Sequence, residues 1–286
     1  MQPNQPKQKP RNLQFHTNPA TSGPPPKFKP VNQKTGSQIL GQADTTITNL
    51  KGKGAGKTLV VCGNGPSIAG APLENLKGVP GVEFMSINIP DPRVWPTEYW
   101  LLLDAITMRR KECAGFIPDY QGIVITNHVK KPVAFRHLVR VLLHRSGGIS
   151  RDLLKGIRMG GSSGYVALQV ALYLGHKDIY FFGMDMAKSE TGELWVYGEN
   201  SAIDAEMREK KFETDAHHWD LGTKELTPEE RARIHICSEI NPWPFVKEYD
   251  QLSPEAGVEK ILGPITTKSD EPAKPADSPD AADSSL

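Results

Sequence analysis

The sequence predicts an α/β fold in which a parallel sheet carries helices on both faces. Apolar runs of strand length recur along the chain, at Thr58–Cys62, Val82–Asn88, Tyr99–Asp104, Gly122–Asn127, Asp178–Gly183 and Ile234–Ser238. They are continuous rather than alternating, as strands buried on both faces are. Between several of them lie stretches with helical spacing of apolar residues, which is the signature of crossover connections in a parallel sheet.

Residues 1–57 hold nine Lys or Arg against one acid, Asp44, and almost no large apolar side chains. Such a segment cannot bury enough surface to offset its ordering entropy, so a disordered basic arm is expected there. Without interleaved aromatics beyond Phe15 and Phe28 it does not read as a nucleic-acid module. Residues 266–286 form a Ser/Pro/Ala/Asp-rich acidic tail with the same deficit. The folded domain is therefore expected over 58–265.

Gly52–Thr58 looks like a Walker-type phosphate loop, but Lys51 stands where that motif needs Gly, and the segment precedes the first strand. The better anion cradle is Gly63-Asn64-Gly65-Pro66-Ser67, directly after the first strand, where glycines let the backbone approach a ligand. It is not a dinucleotide fingerprint, because Ile68 occupies the place of the third glycine. The second strand ends in Asn88 instead of an acid. Asparagines at both strand ends suit hydrogen bonding to phosphate or sugar hydroxyls without charge repulsion.

Residues 133–145 have helical apolar spacing. A clearer helix covers Gly164–Leu174, with Ser162 or Ser163 as its cap and Gly175 as its stop. Arg158, Ser162, Ser163 and Gly164 at its start offer a guanidinium, hydroxyls and amides to the same anion. Asp185 ends the fifth strand, where it either contacts substrate or braces the turn. Residues 186–224 break the alternation, are polar, and carry Trp195, Tyr197, His217, His218 and Trp219. Ligands sit at the carboxyl ends of strands in such sheets, so this insertion is expected to be a lid. A further helix begins near Thr227-Pro228.

A His near its ordinary pKa of about 6.5 is a natural base for a hydroxyl. His217 and His218 are both candidates, beside the readings that they are surface histidines or metal ligands. Cys62, Cys113 and Cys237 are too widely spaced for a zinc site or a disulfide framework, so no metal is expected. No stretch reads as a secretory signal or membrane span, and a cytoplasmic enzyme or binding protein is the expectation.

The string Val60–Ser67, then Ser163-Gly164 with its helix and Gly175–Asp185, resembles the bacterial sialyltransferases of glycosyltransferase family 42. It is also similar to the related domain of motility-associated flagellin glycosyltransferases, whose last strand His235–Ser238 matches. The likeness runs over residues 58–241. It implies a Rossmann-like, doubly wound sheet that binds a cytidine-monophosphate-activated sugar without a metal or other cofactor. Under it Gly63, Asn64, Gly65 and Ser67 hold the nucleotide, Asn88 reaches the donor, and Arg158 and Ser163 lie near the phosphate or sugar carboxylate. His217 or His218 is the base, and Tyr197 fills the place of one lid tyrosine; Met186 stands where the family has the other. The partners implied are a nucleotide-sugar donor and an acceptor hydroxyl, and a homo-oligomer is an open expectation. A deeper relative transfers pyrophosphate from ATP to a pterin alcohol, which would require Mg²⁺ held by carboxylates such as Asp104 and Asp185. A non-catalytic nucleotide-binding protein is the third reading.

Overall fold

The computed structural model describes residues 47–104, 120–127, 135, 137–144, 146–196 and 205–263. The basic arm before residue 47, the acidic tail and Tyr197 lie outside the described residues. Eight strands form one sheet: β1 (Thr58–Cys62), β2 (Val82–Ile87), β3 (Tyr99–Leu101), β4 (Ile123–Thr126), β5 (His137–Arg140), β8 (Asp178–Phe182), β9 (Ile234–Cys237) and β10 (Asp250–Leu252). Their order is β10-β9-β8-β1-β2-β3-β4-β5, and every pairing is parallel. The two short strands β6 (Leu143–His144) and β7 (Ile157–Arg158) pair separately.

Because successive side chains on a strand point to opposite faces, each run supplies two cores at once. Leu59, Val61, Met85, Ile87, Ile179, Phe181, Ile234 and Ile236 face one side, under the helices α1 (Ser163–Leu174) and α2 (Ala205–Glu225). Val60, Cys62, Phe84, Tyr180, Phe182 and Cys237 face the other, with Ile68, Leu73 and Leu76 from two 3-10 turns and Val258 of α4 (Pro254–Leu262). Farther along that sheet Trp100, Leu102, Val124 and Leu138 build a third cluster with Tyr120 and Phe135. The sheet is thus doubly wound.

Helix α1 starts where Ser162 Oγ accepts the Tyr165 N–H, and it ends at Gly175, whose φ of 79° only glycine adopts without strain. The helix α3 (Pro228–Ala232) has the expected start, a capping box between Thr227 and Glu230.

Two expectations change. Residues 137–140 of the expected helix are the edge strand β5, with Leu138 and Val139 buried on opposite faces. The unpaired edge of β4 outweighs a helical spacing that rests on β-branched residues. The last eleven residues of the expected arm belong to the fold: Ile47 and Leu50 are buried, and Gly54 N donates to Leu174 O at 2.8 Å. Lys57, the lysine of the Walker look-alike, pairs with Glu83 at 2.5 Å.

The insertion after β8 is present, but its second half is α2. Phe212, Ala216 and Trp219 recur on one helical face and are buried, and Trp219 stacks on Phe245 at 5.4 Å. This stretch packs against the body of the domain.

Candidate functional site

The chain leaves β1 toward β2 and leaves β8 toward β9, so the carboxyl ends of β1 and β8 flank the topological switch point. The turn Gly63–Ser67 lies there against Gly183–Asp185. A Cβ on Gly63 would stand 2.4 Å from Gly183 O, and one on Gly65 would stand 2.4 Å from Asp185 Oδ2. Only glycine permits that approach.

Asp185 organises the turn. Its carboxylate accepts from Ser67 N at 2.8 Å, from Ser238 Oγ at 2.6 Å and from the Ser67 hydroxyl. At 2% exposure it is withdrawn from solvent. Burial pushes its pKa up against the opposing effect of those hydrogen bonds. Of the two roles the sequence leaves open, this geometry matches the brace.

Asn64 Nδ2 donates to Ile89 O at 2.8 Å and ties the turn to the segment after β2. Val196, the last described residue before Tyr197, donates its N–H to Asn64 O at 2.9 Å, so the first half of the insertion reaches the turn. Asn88 has φ of 55°, a left-handed conformation that asparagine tolerates better than most residues. Its side-chain oxygen accepts from Leu103 N and Asp104 N, both at 3.3 Å, and its Nδ2 lies 3.3 Å from Ser163 Oγ. The ends of β2 and β3 and the start of α1 therefore meet at one asparagine. Ser162 Oγ also accepts from Trp219 Nε1 at 3.2 Å, and Gly164 is so tight against Met184 that a Cβ would stand 2.1 Å from its Cε.

Arg158 and His218 come together elsewhere. Arg158 Nη1 donates to Gly147 O at 2.7 Å. A methyl group built on the same Gly147 would lie 3.0 Å from His218 Nδ1. His218 is half-buried, and burial first, then His217, hold its pKa below the ordinary histidine value. His217 is exposed. Two turns earlier on α2, Lys211 Nζ donates to Gly161 O and to Asp215 Oδ2, both at 2.5 Å, which fastens the helix to the loop before Ser162. The contacts of Arg158 run to Gly147 and Gln169 and none reaches the Gly63–Ser67 turn.

Sequence reasoning missed the outer bracket. Ser238 was read only as a strand end, yet it holds Asp185. Asn241 Nδ2 donates to Met184 O at 2.8 Å and Trp243 Nε1 to Met186 O at 2.9 Å. Arg93 secures the other flank, donating to Ala71 O at 2.6 Å and Ile68 O at 2.8 Å while paired with Asp91. The available signal was position: polar and aromatic residues directly after the strand beside the switch point.

The chain overlaps the MAf glycosyltransferase of Magnetospirillum magneticum AMB-1 with a TM-score of 0.45 and 14% identity, over 77% of this chain and 38% of that one. It spans well under half the length of that protein. The sialyltransferase CstII of Campylobacter jejuni, solved with a substrate analogue, cytidine-5'-monophosphate, overlaps at 0.40 with 12% identity, over 70% of this chain and 86% of that one. CstII with a trisaccharide acceptor and CMP gives 0.39, again at 12% identity, over 70% and 88%. No family model matches the sequence, and no curated protein matches it. At these overlaps and identities the likenesses carry no argument about family and assign no residue a role.

Proposed function

We propose that this domain is a glycosyltransferase that takes a nucleotide-activated sugar, with CMP as the expected nucleotide, and acts without a metal. The observation that carries this reading is the convergence of uncharged polar groups at the switch point. The Gly63–Ser67 turn, tied to the segment after β2 by Asn64, lies beside Asn88 and the Ser162–Gly164 helix start. Amides, carboxamides and hydroxyls of this kind suit a phosphate and sugar hydroxyls. Two buried acids lie nearby; Asp185 is engaged by Ser67 and Ser238 and Asp215 by Lys211, which disfavours the Mg²⁺-dependent pyrophosphokinase alternative.

In the proposed reaction an acceptor oxygen attacks the anomeric carbon as the bond to the nucleotide phosphate breaks. The acceptor proton passes to a histidine of α2. His218 suits this better than His217, since burial keeps its ring neutral at a pH where an exposed ring is partly charged. Its Nδ1 is buried without a hydrogen-bond partner among the described residues, and Nε2 is assigned to the substrate. Charge on the leaving phosphate is taken up by amides and hydroxyls of the turn and helix start, with Tyr197 assigned the supporting role.

The test is a thermal-shift titration of the full chain with CMP, UDP, GDP and ATP, each with and without Mg²⁺. A ligand bound only by the native state raises the midpoint by mass action. Stabilisation by CMP without metal supports the proposal, a requirement for ATP with Mg²⁺ transfers it to the pyrophosphokinase, and no shift with any nucleotide removes it.

A further inference from the structure

The segment between β6 and α1 builds a second feature that nucleotide binding does not use. An open cleft of about 360 Å³ is lined by His144, Ser146, Ser150, Lys155, Gly156 and Arg158. No carboxylate lines it. Two carboxylates lie outside it: Glu225 accepts from Ile149 N at 2.7 Å, and Asp152 Oδ2 is 3.4 Å from Lys155 Nζ, with side chains 47% and 86% exposed, so solvent screens that pair. The walls are fixed from within. Ser150 Oγ donates to Gly156 O at 2.6 Å, His144 Nε2 donates to Lys155 O at 2.7 Å, and Gln169 bonds both Ser150 N and the Arg158 backbone. Gly156, at φ of 118°, keeps the floor open, because a Cβ there would stand 2.4 Å from His144 Nε2.

Arg158 is the anchor of this cleft. Nη1 is held by Gly147 O, while Nε and Nη2 have no partner among the described residues. A half-buried guanidinium with two free donor groups, beside an exposed ammonium and a serine hydroxyl, is complementary to a phosphate or carboxylate. The position of the cleft gives this a meaning. Gly147 carries the Arg158 guanidinium on its carbonyl and the His218 ring against its Cα, so cleft and proposed base share one residue of backbone.

We propose that the cleft binds an anionic group of the acceptor, a phosphate or a carboxylate, and thereby presents an acidic acceptor's hydroxyl toward His218. The acceptor assignment rests on the glycosyltransferase reading above; the anion site itself does not.

The experiment is a titration of the full chain with inorganic phosphate and, separately, with acetate, at constant ionic strength. Thermal midpoints are read for the parent, Lys155→Gln and Arg158→Gln, with and without saturating CMP. The expected result is a saturable rise with phosphate or acetate that CMP does not displace. Lys155→Gln, whose side chain makes no core contact, weakens it at least threefold and leaves the CMP response unchanged. Arg158→Gln weakens it further. Preference for phosphate points to a phosphorylated acceptor and preference for acetate to a carboxylate-bearing one. An unchanged titration in Lys155→Gln, no anion response, or displacement of the anion by CMP overturns the site. An anion response as described, with no response to any nucleotide, would overturn the glycosyltransferase reading and leave the anion site standing.

Discussion

Asp185 Oδ2 lies 2.8 Å from the backbone nitrogen of Ser67, residues that are 118 positions apart and belong to turns leaving adjacent strands. The same carboxylate receives the Ser238 hydroxyl. One buried acid thus fixes the turns after β1, β8 and β9 relative to one another. Asp185→Ala strands the Ser67 N–H and two hydroxyls, at a cost of about 2–3 kcal/mol. The urea midpoint should fall accordingly, and nucleotide affinity should fall with it. Retained affinity in a destabilised variant would separate the turn from the ligand.

Gly65→Ala brings a methyl group to 2.4 Å from Asp185 Oδ2 and 2.7 Å from Gly183 O. Backbone has to move, so a loss of about 1–3 kcal/mol is expected, together with at least tenfold weaker CMP binding by calorimetry. Gly65 has φ of −72°, which any residue adopts, so the loss comes from crowding and not from backbone strain.

The two histidines should differ. His218→Ala is expected to lower turnover by about 10²–10⁴-fold while CMP affinity stays within a few-fold. His217→Ala, on an exposed side chain, should stay within a few-fold of the parent in both. Because burial holds the His218 pKa down, the acid limb of the pH–rate profile should fall below the ordinary value of about 6.5. A parent-like His218→Ala would remove this residue from the mechanism.

Glu83 and Asp185 should respond to acid with opposite signs. Burial of Glu83 acts to raise its pKa, but hydrogen bonds from His176 and Lys57 bring it below the usual glutamate value. Its contribution to stability is therefore full above about pH 4.3 and lost as pH falls through the lowered value. The raised pKa of Asp185 acts the other way, adding stability at low pH that is lost as pH rises through that value. Glu83→Gln should flatten the acid limb of a urea-midpoint profile below about pH 4.3; an unchanged slope there would show that the Lys57–Glu83–His176 cluster does not govern it.

Deleting residues 1–46 should leave the thermal midpoint within a degree or two, whereas deletion to residue 57 should lower it by several degrees or prevent folding. The second deletion removes Leu50, which is fully buried, and uncovers the His176 ring against which Gly54 packs. Leu50→Ala alone should cost about 2–4 kcal/mol. Equal midpoints for the two truncations would return the boundary to residue 58.

The sequence by itself determined the sheet and the place of its ligand edge. Six of the strands were legible because a strand buried on both faces is a continuous apolar run, and the helix after Ser162 because cap and stop residues act locally. The turn at Gly63 was legible for the same reason, as a glycine pair following such a run. Tertiary structure decided the rest. Leu138 and Val139 form a strand because β4 offers them an edge to pair with, and Trp219 seats the second half of the insertion as a packed helix because Phe245, Tyr165 and Phe181 surround it. Asp185 braces the turn because Ser67 and Ser238 reach it from far along the chain, and Arg158 and His218 meet at Gly147 through the folding of separate segments. Local propensity writes elements into a sequence, but contacts between residues a hundred positions apart are set by packing, and it is packing that chose the neighbours of each candidate site residue.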